Sequence, residues 1–385
     1  MTNRLLALDR LRGLLMMVMA IDHVSYFVGN RHSAEFWGLP LPNIGQGPDD
    51  TFWFLSRVIS HFCAPGFFLL AGASISLFAE ARRAAGWSEW QVRRYWIERG
   101  LILIIAQQLI ENPAWLLGTF DNPSTGIAPG SGGNLMLHFG VLYGLGMAMI
   151  VGALLLNLQI WVLTVLATTA VAITALLLPD SAAVGLPIST LLMLAVVPGH
   201  SGAVQVLYPA APWIAVTILG MLLGRGLRAD AGLTFRLVPV IGIALLVLFV
   251  AVRSLGGDAG QLLNIVAPQG DGALVILSVV KYPPAVAYLL MTLGGNLLLL
   301  AAFARFGSSK PSGNGPLLVF GQSALFFYLL HLYVYAVIGL LLPGPQGLSV
   351  TYASWVFGLG LLYPVCRKYR HFKASTAPES WWRLF

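Results

Sequence analysis

The sequence predicts an all-α fold, a polytopic transmembrane helix bundle of about 10–11 membrane helices with cytoplasmic termini. Hydrophobic residues make up 57% of the 385 residues and charged residues only 10%, whereas about 25% of the residues of ordinary soluble domains are charged. The apolar residues form runs of roughly 18–25, which suits spanning helices and not the shorter alternating strands of an outer-membrane barrel. Short connections marked by Gly, Pro and Arg separate the runs. Residues 1–385 are therefore predicted to form a single integral-membrane domain.

Ten apolar segments are predicted to cross the membrane, each close to the ~20 residues that a spanning helix needs. A shorter apolar piece, 186–197, ends at a cluster of helix breakers around Pro198. It is expected to dip into the membrane and return, because ten full crossings leave both termini on the same side. In chain order, the ten candidate spans are 10–29, 52–79, 95–118, 134–156, 159–178, 208–226, 236–254, 284–305, 317–341 and 350–367.

The charges support this layout. The net charge of +7 arises from 22 Lys and Arg against 15 Asp and Glu. The basic residues gather at the ends of predicted helices, where they indicate topology and not nucleic-acid binding. Segments 119–133 and 342–349 carry no Lys or Arg and are expected outside the cytoplasm, as is the polar connection 30–51. That connection is either a solvated loop or part of a substrate entrance.

Several other classes of site are not indicated. Cys63 and Cys366 lie in or at the end of apolar runs, so neither a disulfide nor a metal site is predicted. GxxxxGK[ST], HExxH and GxSxG patterns are absent, which argues against a nucleotide-hydrolysing or metal-dependent enzyme. The first apolar segment lacks a small-residue cleavage site and contains Asp22 and His23, so it is interpreted as a spanning helix and not as a signal peptide.

The first span carries a polar stripe. Arg12 and His23 are eleven residues apart, and at about 100° per residue eleven steps return to within ~20° of the same helix face, ~16 Å farther along the axis. His23 can accept a proton near neutral pH, as general-base catalysis requires. Asp22 points to another face and is expected to pair with another helix. Arg12 either takes part in the site or reaches the headgroups paired with Asp9.

The second span places Arg57 and His61 four residues apart, and therefore on one face. Pro65 lies on the same face and would free a backbone carbonyl near position 61. A polar pocket between the first two spans accounts for buried histidines in both, and a simple helix-packing hydrogen bond is the alternative. His61 is thus a second candidate catalytic residue.

Polar residues in later spans admit two interpretations each. Lys281 precedes two prolines, where it either binds an anion beside a broken helix start or anchors the chain at the interface. His331 either binds a cofactor or only holds Tyr328 or Tyr335. Gln107 and Gln108 are expected to hydrogen-bond between helices, and Glu111 and His138 are further polar residues in this part of the chain.

Six segments together resemble a known family of acyltransferases. The chain resembles the bacterial branch of the family that contains the catalytic membrane domain of heparan-alpha-glucosaminide N-acetyltransferase, and the resemblance extends over nearly the whole chain. The segments are LDRLRG at 8–13, MAIDH at 19–23, SRVISHFCAPGFFLLAG at 56–72, YPAAPWIAVTILGMLLGR at 208–225, KYPP at 281–284 and LLVFGQSALFFYLLHLY at 317–333.

The resemblance implies a single acyltransferase-like domain that moves an acyl group, typically acetyl from cytoplasmic acetyl-CoA, to an acceptor on the other side of the membrane. A multi-pass protein of a bacterial-type cytoplasmic (inner) membrane is implied, with a glycan or lipid-linked acceptor. No metal is expected, because metal-binding motifs are absent, and the Gly- and Ala-rich helix faces are compatible with a homodimer. Arg12 would shape the site near the donor, and the reacting imidazole would be that of His23, His32 or His61. Asp22 joins the catalytic candidates, and the candidates for binding acetyl-CoA are Arg57, Lys281, Tyr282 and His331.

Two other functions are compatible with buried Asp, His and Arg in a helical bundle. A proton-coupled or anion secondary transporter is the main alternative, although it predicts internal repeats and none is visible. A non-catalytic scaffold does not explain several histidines at membrane depth, since each is costly in an apolar environment.

Overall fold

The computed structural model of the protein describes residues 2–31, 35–38, 48–118, 137–178, 186, 188–255, 273–306, 313–377, 380 and 382. Over these residues the chain is an all-α helical bundle, which confirms the predicted fold class. His32, a candidate reacting residue, lies outside the described residues.

The first third of the chain forms five helices and one π-helical turn. Helices α2 and α3 are separated only by Phe62, so the predicted span 52–79 is one long element with a break. The predicted span 95–118 is interrupted by the π turn. The elements are α1 (Thr2–Phe27), α2 (Pro48–His61), α3 (Cys63–Ala84), α4 (Glu89–Ala106), the π turn (Gln107–Glu111) and α5 (Asn112–Leu116).

The rest of the chain adds nine helices, a 3₁₀ turn and three short strands. The piece at 186–197 contains only α8, six residues long, which is far too short to span a bilayer. The elements are β1 (Leu137–Phe139), α6 (Val141–Leu154), α7 (Ile160–Leu177), α8 (Thr190–Ala195), β2 (Gly199–Ser201), β3 (Val204–Val206), α9 (Ala210–Ala229), α10 (Ala231–Leu255), the 3₁₀ turn (Ala273–Leu277), α11 (Val286–Phe306), α12 (Pro316–Gln322), α13 (Ala324–Leu341) and α14 (Leu348–Ser375).

Seven helices in the described part of the chain are long and apolar enough to cross a membrane, with α2 and α3 counted as one. The other three predicted spans also contain helices, but they are more polar, interrupted or shorter. Helix α1 carries Arg10, Arg12 and Asp22, the span 95–118 contains the π turn, and α6 has 14 residues. The chain is therefore a multi-pass membrane protein.

Helix α1 lies in the centre of the bundle and packs against α3, α11, α12, α13 and α14. Two glycines allow its closest crossing: a Cβ atom on Gly13 would lie 1.8 Å from the Leu317 carbonyl oxygen, and one on Gly321 would lie 1.9 Å from that of Asp9. Helices α1 and α12 thus meet backbone to backbone, with no room for a side chain between them.

A second pair of glycines joins α4 to α6. A Cβ on Gly100 would lie 2.5 Å from the Gly146 carbonyl oxygen, and a Cβ on Gly146 would lie 2.5 Å from that of Gly100. By contrast, α7 and α10 lie at the periphery, and only 17% of the most apolar 18-residue stretch of each helix is buried. Their exposed apolar side chains suit contact with lipid.

The three strands form a small sheet in the order β1-β3-β2, with β1 parallel and β2 antiparallel to β3. Its register places His138 opposite Gln205, and the Nδ1 atom of His138 lies 3.0 Å from the Gln205 Oε1 atom. The sheet therefore holds His138 in place just before α6 begins.

Candidate active site

Two cavities lie one after the other beside α1. The arginine cavity, of about 260 Å³, is lined by Arg12, Arg99 and Lys373 together with apolar residues of α3, α4, α6 and α13. The histidine cavity is smaller, about 60 Å³, and its lining includes His23 and His138. Phe67, Val141 and Tyr328 line both cavities. These three residues mark the boundary between them.

His23, in the second half of α1, forms a pair with His331 from the middle of α13. The Nδ1 atom of His23 lies 2.6 Å from Nε2 of His331, and the two rings stack with centroids 4.9 Å apart. His331 is completely buried. The sequence left open whether His331 binds a cofactor or a neighbouring tyrosine. In the structure, the Nε2 atom of His331 pairs with the Nδ1 atom of His23, which is 308 residues away in the chain.

The hydrogen-bond partners of this pair assign the proton positions. The His331 Nδ1 atom lies 2.6 Å from the Tyr328 carbonyl oxygen and 3.1 Å from that of Phe327. A carbonyl only accepts, so Nδ1 of neutral His331 carries the proton and its Nε2 carries the lone pair. His23 then donates from Nδ1, and its Nε2 atom is the basic nitrogen. A histidine that lines a cavity in this tautomer is arranged to take a proton.

Aromatic rings fix the orientation of the pair. Trp115 contacts His23 edge to face, with centroids 5.0 Å apart and planes at 84°. Phe327 stacks on His331 at 5.1 Å and 12°. Because these rings are packed on both sides, the two imidazoles have little freedom to rotate away from each other.

Asp22, the neighbour of His23, belongs to a buried ion network. Its carboxylate pairs with Arg57 of α2, as the sequence predicted when it placed Asp22 opposite another helix. Arg57 also donates to Glu35, from Nη2 at 2.7 Å and from Nε at 3.0 Å. His61 lies on the same side, with Nε2 3.4 Å from a Glu35 oxygen. The predicted common face of Arg57 and His61 is thus confirmed.

Glu35 is the residue of this network that sequence reasoning missed. It belongs to the connection between α1 and α2, for which the sequence left a solvated loop and a substrate entrance open, yet only 3% of the surface of Glu35 is exposed. Burial by itself would raise the pKa of Glu35, but the charges and hydrogen bonds of Arg57 and His61 hold that pKa well below its usual range. The next two residues, Phe36 and Trp37, are buried as well. These apolar residues in a loop were the signal in the sequence that could have predicted the burial of Glu35.

The same connection positions Lys281 and Tyr282. Both of their backbone N–H groups donate to the Glu35 carbonyl oxygen, at 2.9 and 3.0 Å. Lys281 is buried, lines the histidine cavity and has its Nζ atom 5.0 Å from the centre of the Tyr282 ring. A buried ammonium group beside His23 is chemically suited to hold an anionic group or a developing oxyanion.

Pro65 has the predicted effect on the backbone nearby. The His61 carbonyl oxygen accepts a hydrogen bond at 2.8 Å from the hydroxyl of Tyr288, which lies on another helix. The residues that line the two cavities do not include Arg57 or His61. The predicted roles of Arg57 in donor binding and of His61 in catalysis remain predictions. In the structure, both residues lie behind Asp22.

Arg12 lies in the arginine cavity, eleven residues before His23 on α1. It donates to Asp9 at 2.7 Å, to Ser74 at 3.2 Å and to the Gly321 carbonyl oxygen at 3.3 Å. The predicted Asp9 pairing is confirmed, and Arg12 also lines the cavity, so its two interpretations are compatible. The predicted stripe thus has one cavity at each end.

The polar side chains of the π turn bind neighbouring elements and reach the histidine cavity. The Gln107 Oε1 atom accepts from the backbone N–H groups of Leu142 and Tyr143, at 3.1 and 3.4 Å, and so caps α6. Gln108 donates to the His138 carbonyl oxygen at 2.9 Å. The prediction that the two glutamines bond between helices is confirmed for Gln107, whose partners lie on α6, whereas Gln108 bonds to strand β1. Glu111, at the end of the turn, lines the histidine cavity.

Fold and site together define a class of protein: a multi-pass membrane protein with a histidine pair, a buried lysine and a carboxyl group around one small cavity, which are the groups that acyl transfer requires. The chain belongs to the family described as "Heparan-alpha-glucosaminide N-acetyltransferase, catalytic", which matches residues 4–256. The predicted family is therefore confirmed by a match that includes the segments between 8 and 225, and the segments at 281–284 and 317–333 lie outside it. The chain is a transmembrane acyltransferase. No curated protein matches it.

Proposed function

We propose that the protein transfers an acetyl group from cytoplasmic acetyl-CoA to a glycan or lipid-linked acceptor on the opposite side of the membrane. The observation that carries this proposal is the arrangement of two cavities that share Phe67, Val141 and Tyr328. A donor entering one cavity and an acceptor entering the other would meet at these residues, beside His23.

The arginine cavity has the chemistry of a donor site. Arg12, Arg99 and Lys373 supply positive charge for phosphate groups, and the apolar remainder suits the uncharged arm that carries the acyl group. Two other arginines near this end are paired with carboxylates outside the cavity: Arg83 with Glu89, and Arg94 with Glu98. Because the positive-inside rule assigns the Arg-rich ends to the cytoplasm, the donor enters from that side.

The histidine cavity has the chemistry of the acceptor site. His23 takes the proton from the acceptor amine or hydroxyl at Nε2, while His331 holds the Nδ1 proton of His23 in place. Lys281 faces the same cavity and stabilises the negative charge that develops on the acyl oxygen. Enclosure by Trp115 and Tyr328 limits hydrolysis of the thioester by water.

Acetyl transfer in membrane vesicles of known orientation tests this proposal. Radiolabelled acetyl-CoA added outside inside-out vesicles that contain the full chain should label a membrane-associated or luminal acceptor, and right-side-out vesicles should not be labelled. His23→Ala should lower the rate by about 10²–10⁴-fold, the contribution of a general base. His200→Ala is the matched control, because His200 is exposed on β2 and outside both cavities.

Two outcomes would contradict the proposal. Transfer at the wild-type rate by His23→Ala would remove His23 from the reaction. Absence of any labelled acceptor, together with solute uptake into proteoliposomes, would favour a proton-coupled or anion secondary transporter built from the same buried groups.

A further inference from the structure

Glu111 has a position that packing alone does not explain. It is 2% exposed and lines the histidine cavity together with His23. The Trp115 indole donates to its Oε1 atom at 3.1 Å, whereas its Oε2 atom is buried and has no hydrogen-bond partner among the described residues. A buried polar atom without a partner is costly, so its retention in a cavity wall points to an interaction made with substrate.

The π turn explains why this side chain reaches the cavity. A π turn adds a residue to the helical repeat and rotates the side chains that follow it, and such turns are frequent at functional sites. Gln107 and Gln108 are held by α6 and by the His138 backbone. Glu111 is the π-turn residue that lines the histidine cavity. Tyr328, at the boundary with the arginine cavity, lines it as well.

The surroundings favour the neutral form of the Glu111 carboxyl group. No Lys or Arg in the described part of the chain forms an ion pair with it, and a buried carboxylate without a cation is strongly disfavoured. Two cations in this part of the molecule have other contacts: Arg57, outside the cavity lining, pairs with Asp22 and Glu35, and Lys281, in the lining, lies over the Tyr282 ring. Glu111 therefore carries a proton that it can donate.

We propose that Glu111 is the general acid that protonates the thiolate leaving group during acyl transfer. This inference rests on the proposed function. The acceptor nitrogen or oxygen forms a bond to the acyl carbon and gives its proton to Nε2 of His23. The carbon–sulfur bond breaks, and the sulfur takes the proton from Glu111, which yields the free thiol and a carboxylate. Return of the proton from His23 to Glu111 across the shared cavity restores both groups.

The order of the cavities agrees with this division of roles. A thioester that arrives through the arginine cavity passes Tyr328, which lines both cavities, and then reaches Glu111 in the lining of the histidine cavity. The sulfur, which is connected to the donor arm, thus stays on the donor side of the acyl carbon. Tyr328 and Trp115 both contact His23, at 6.4 and 5.0 Å between ring centres, so acid and base lie around one pair of aromatic rings.

Variation of the leaving group tests the assignment. Purified full-length protein would be assayed with acetyl-CoA, an alkyl thioester, and with S-phenyl thioacetate, whose aromatic thiolate departs without a proton. Glu111→Gln should lower kcat with acetyl-CoA by about 10²–10³-fold, the contribution of a general acid, and should change the rate with the phenyl thioester by less than about fivefold. His23→Ala should lose activity with both donors, since both need the base.

The controls separate the possible failures. Glu98→Gln, at an exposed residue paired with Arg94, should leave both rates unchanged. Loss of activity by Glu111→Gln with both donors, or with neither, would overturn the role of Glu111 as an acid. Failure of the wild-type protein to use acetyl-CoA would instead contradict the proposed function. Glu111→Asp keeps a carboxylic acid at this position, so it should recover part of the acetyl-CoA rate that Glu111→Gln loses.

Discussion

The two cavities differ in size, in exposure and in how their charges are paired. The arginine cavity is the larger, and its Arg12 side chain is 23% exposed. Behind the smaller histidine cavity, the Arg57 side chain is only 6% exposed and lies between two carboxylates. Ion pairs in contact with water contribute modestly to stability, whereas removal of one partner from a buried ion pair is strongly destabilising. Under the proposed function, the first cavity would bind the donor, and the second would keep the reacting groups in position.

The largest expected effect is on stability at the buried network. Arg57→Met would leave Asp22 and Glu35 buried without their cation and should lower the free energy of unfolding by about 3–5 kcal/mol. Arg12→Met, in the more exposed cavity, should cost no more than about 1 kcal/mol. Thermal unfolding in detergent measures both. Equal losses would show that the two regions do not differ in the way described.

A smaller effect is expected on catalysis at the histidine pair. His331→Leu removes the acceptor for the Nδ1 proton of His23 and should lower kcat by about 10–100-fold with little change in KM, as is usual when an orienting partner is lost. His331→Gln keeps an oxygen acceptor and should retain more of the activity. An equal loss in both variants, or a change confined to KM, would contradict an orienting role.

The smallest effect is expected in the arginine cavity, where single charges contribute to binding. Joint replacement of Arg99 and Lys373 by Gln should raise the KM for acetyl-CoA by about tenfold, equivalent to about 1.4 kcal/mol, with kcat unchanged. The dependence of KM on salt should weaken at the same time. Arg94→Gln, outside the cavity, is the control. A fall in kcat with unchanged KM would place these charges in the chemical step.

The sequence predicted those relations that regular helix geometry determines. The Arg12–His23 stripe, the common face of Arg57 and His61 and the separate direction of Asp22 all follow from about 100° per residue, and the structure agrees. The fold class followed from apolar runs of spanning length. The prediction of about 10–11 membrane helices compares with seven that satisfy length and composition in the described residues, because polar or interrupted helices occupy the remaining segments.

Relations between distant parts of the chain could not be predicted in this way. Nothing in the local sequence pairs His23 with a residue 308 positions away, and a loop position conceals the burial of Glu35. Glu111 was noticed, but the regular helical repeat fails across a π turn, so its direction could not be computed. The polar pocket between the first two spans contains only one of the two histidines that predicted it. His23 lines the histidine cavity and contacts His331, whereas His61 lies outside the cavity and contacts Glu35.

The glycine crossings also limit how the arginine cavity can change its width. The lining of the arginine cavity includes α1 and α12, which touch at Gly13 and Gly321, and α4 and α6, which touch at Gly100 and Gly146. Backbone atoms in contact have no rotamers through which to yield, so each pair is expected to move as one body. On these sides the cavity would therefore widen by movement of a whole helix pair, and not by separation of the two helices within it.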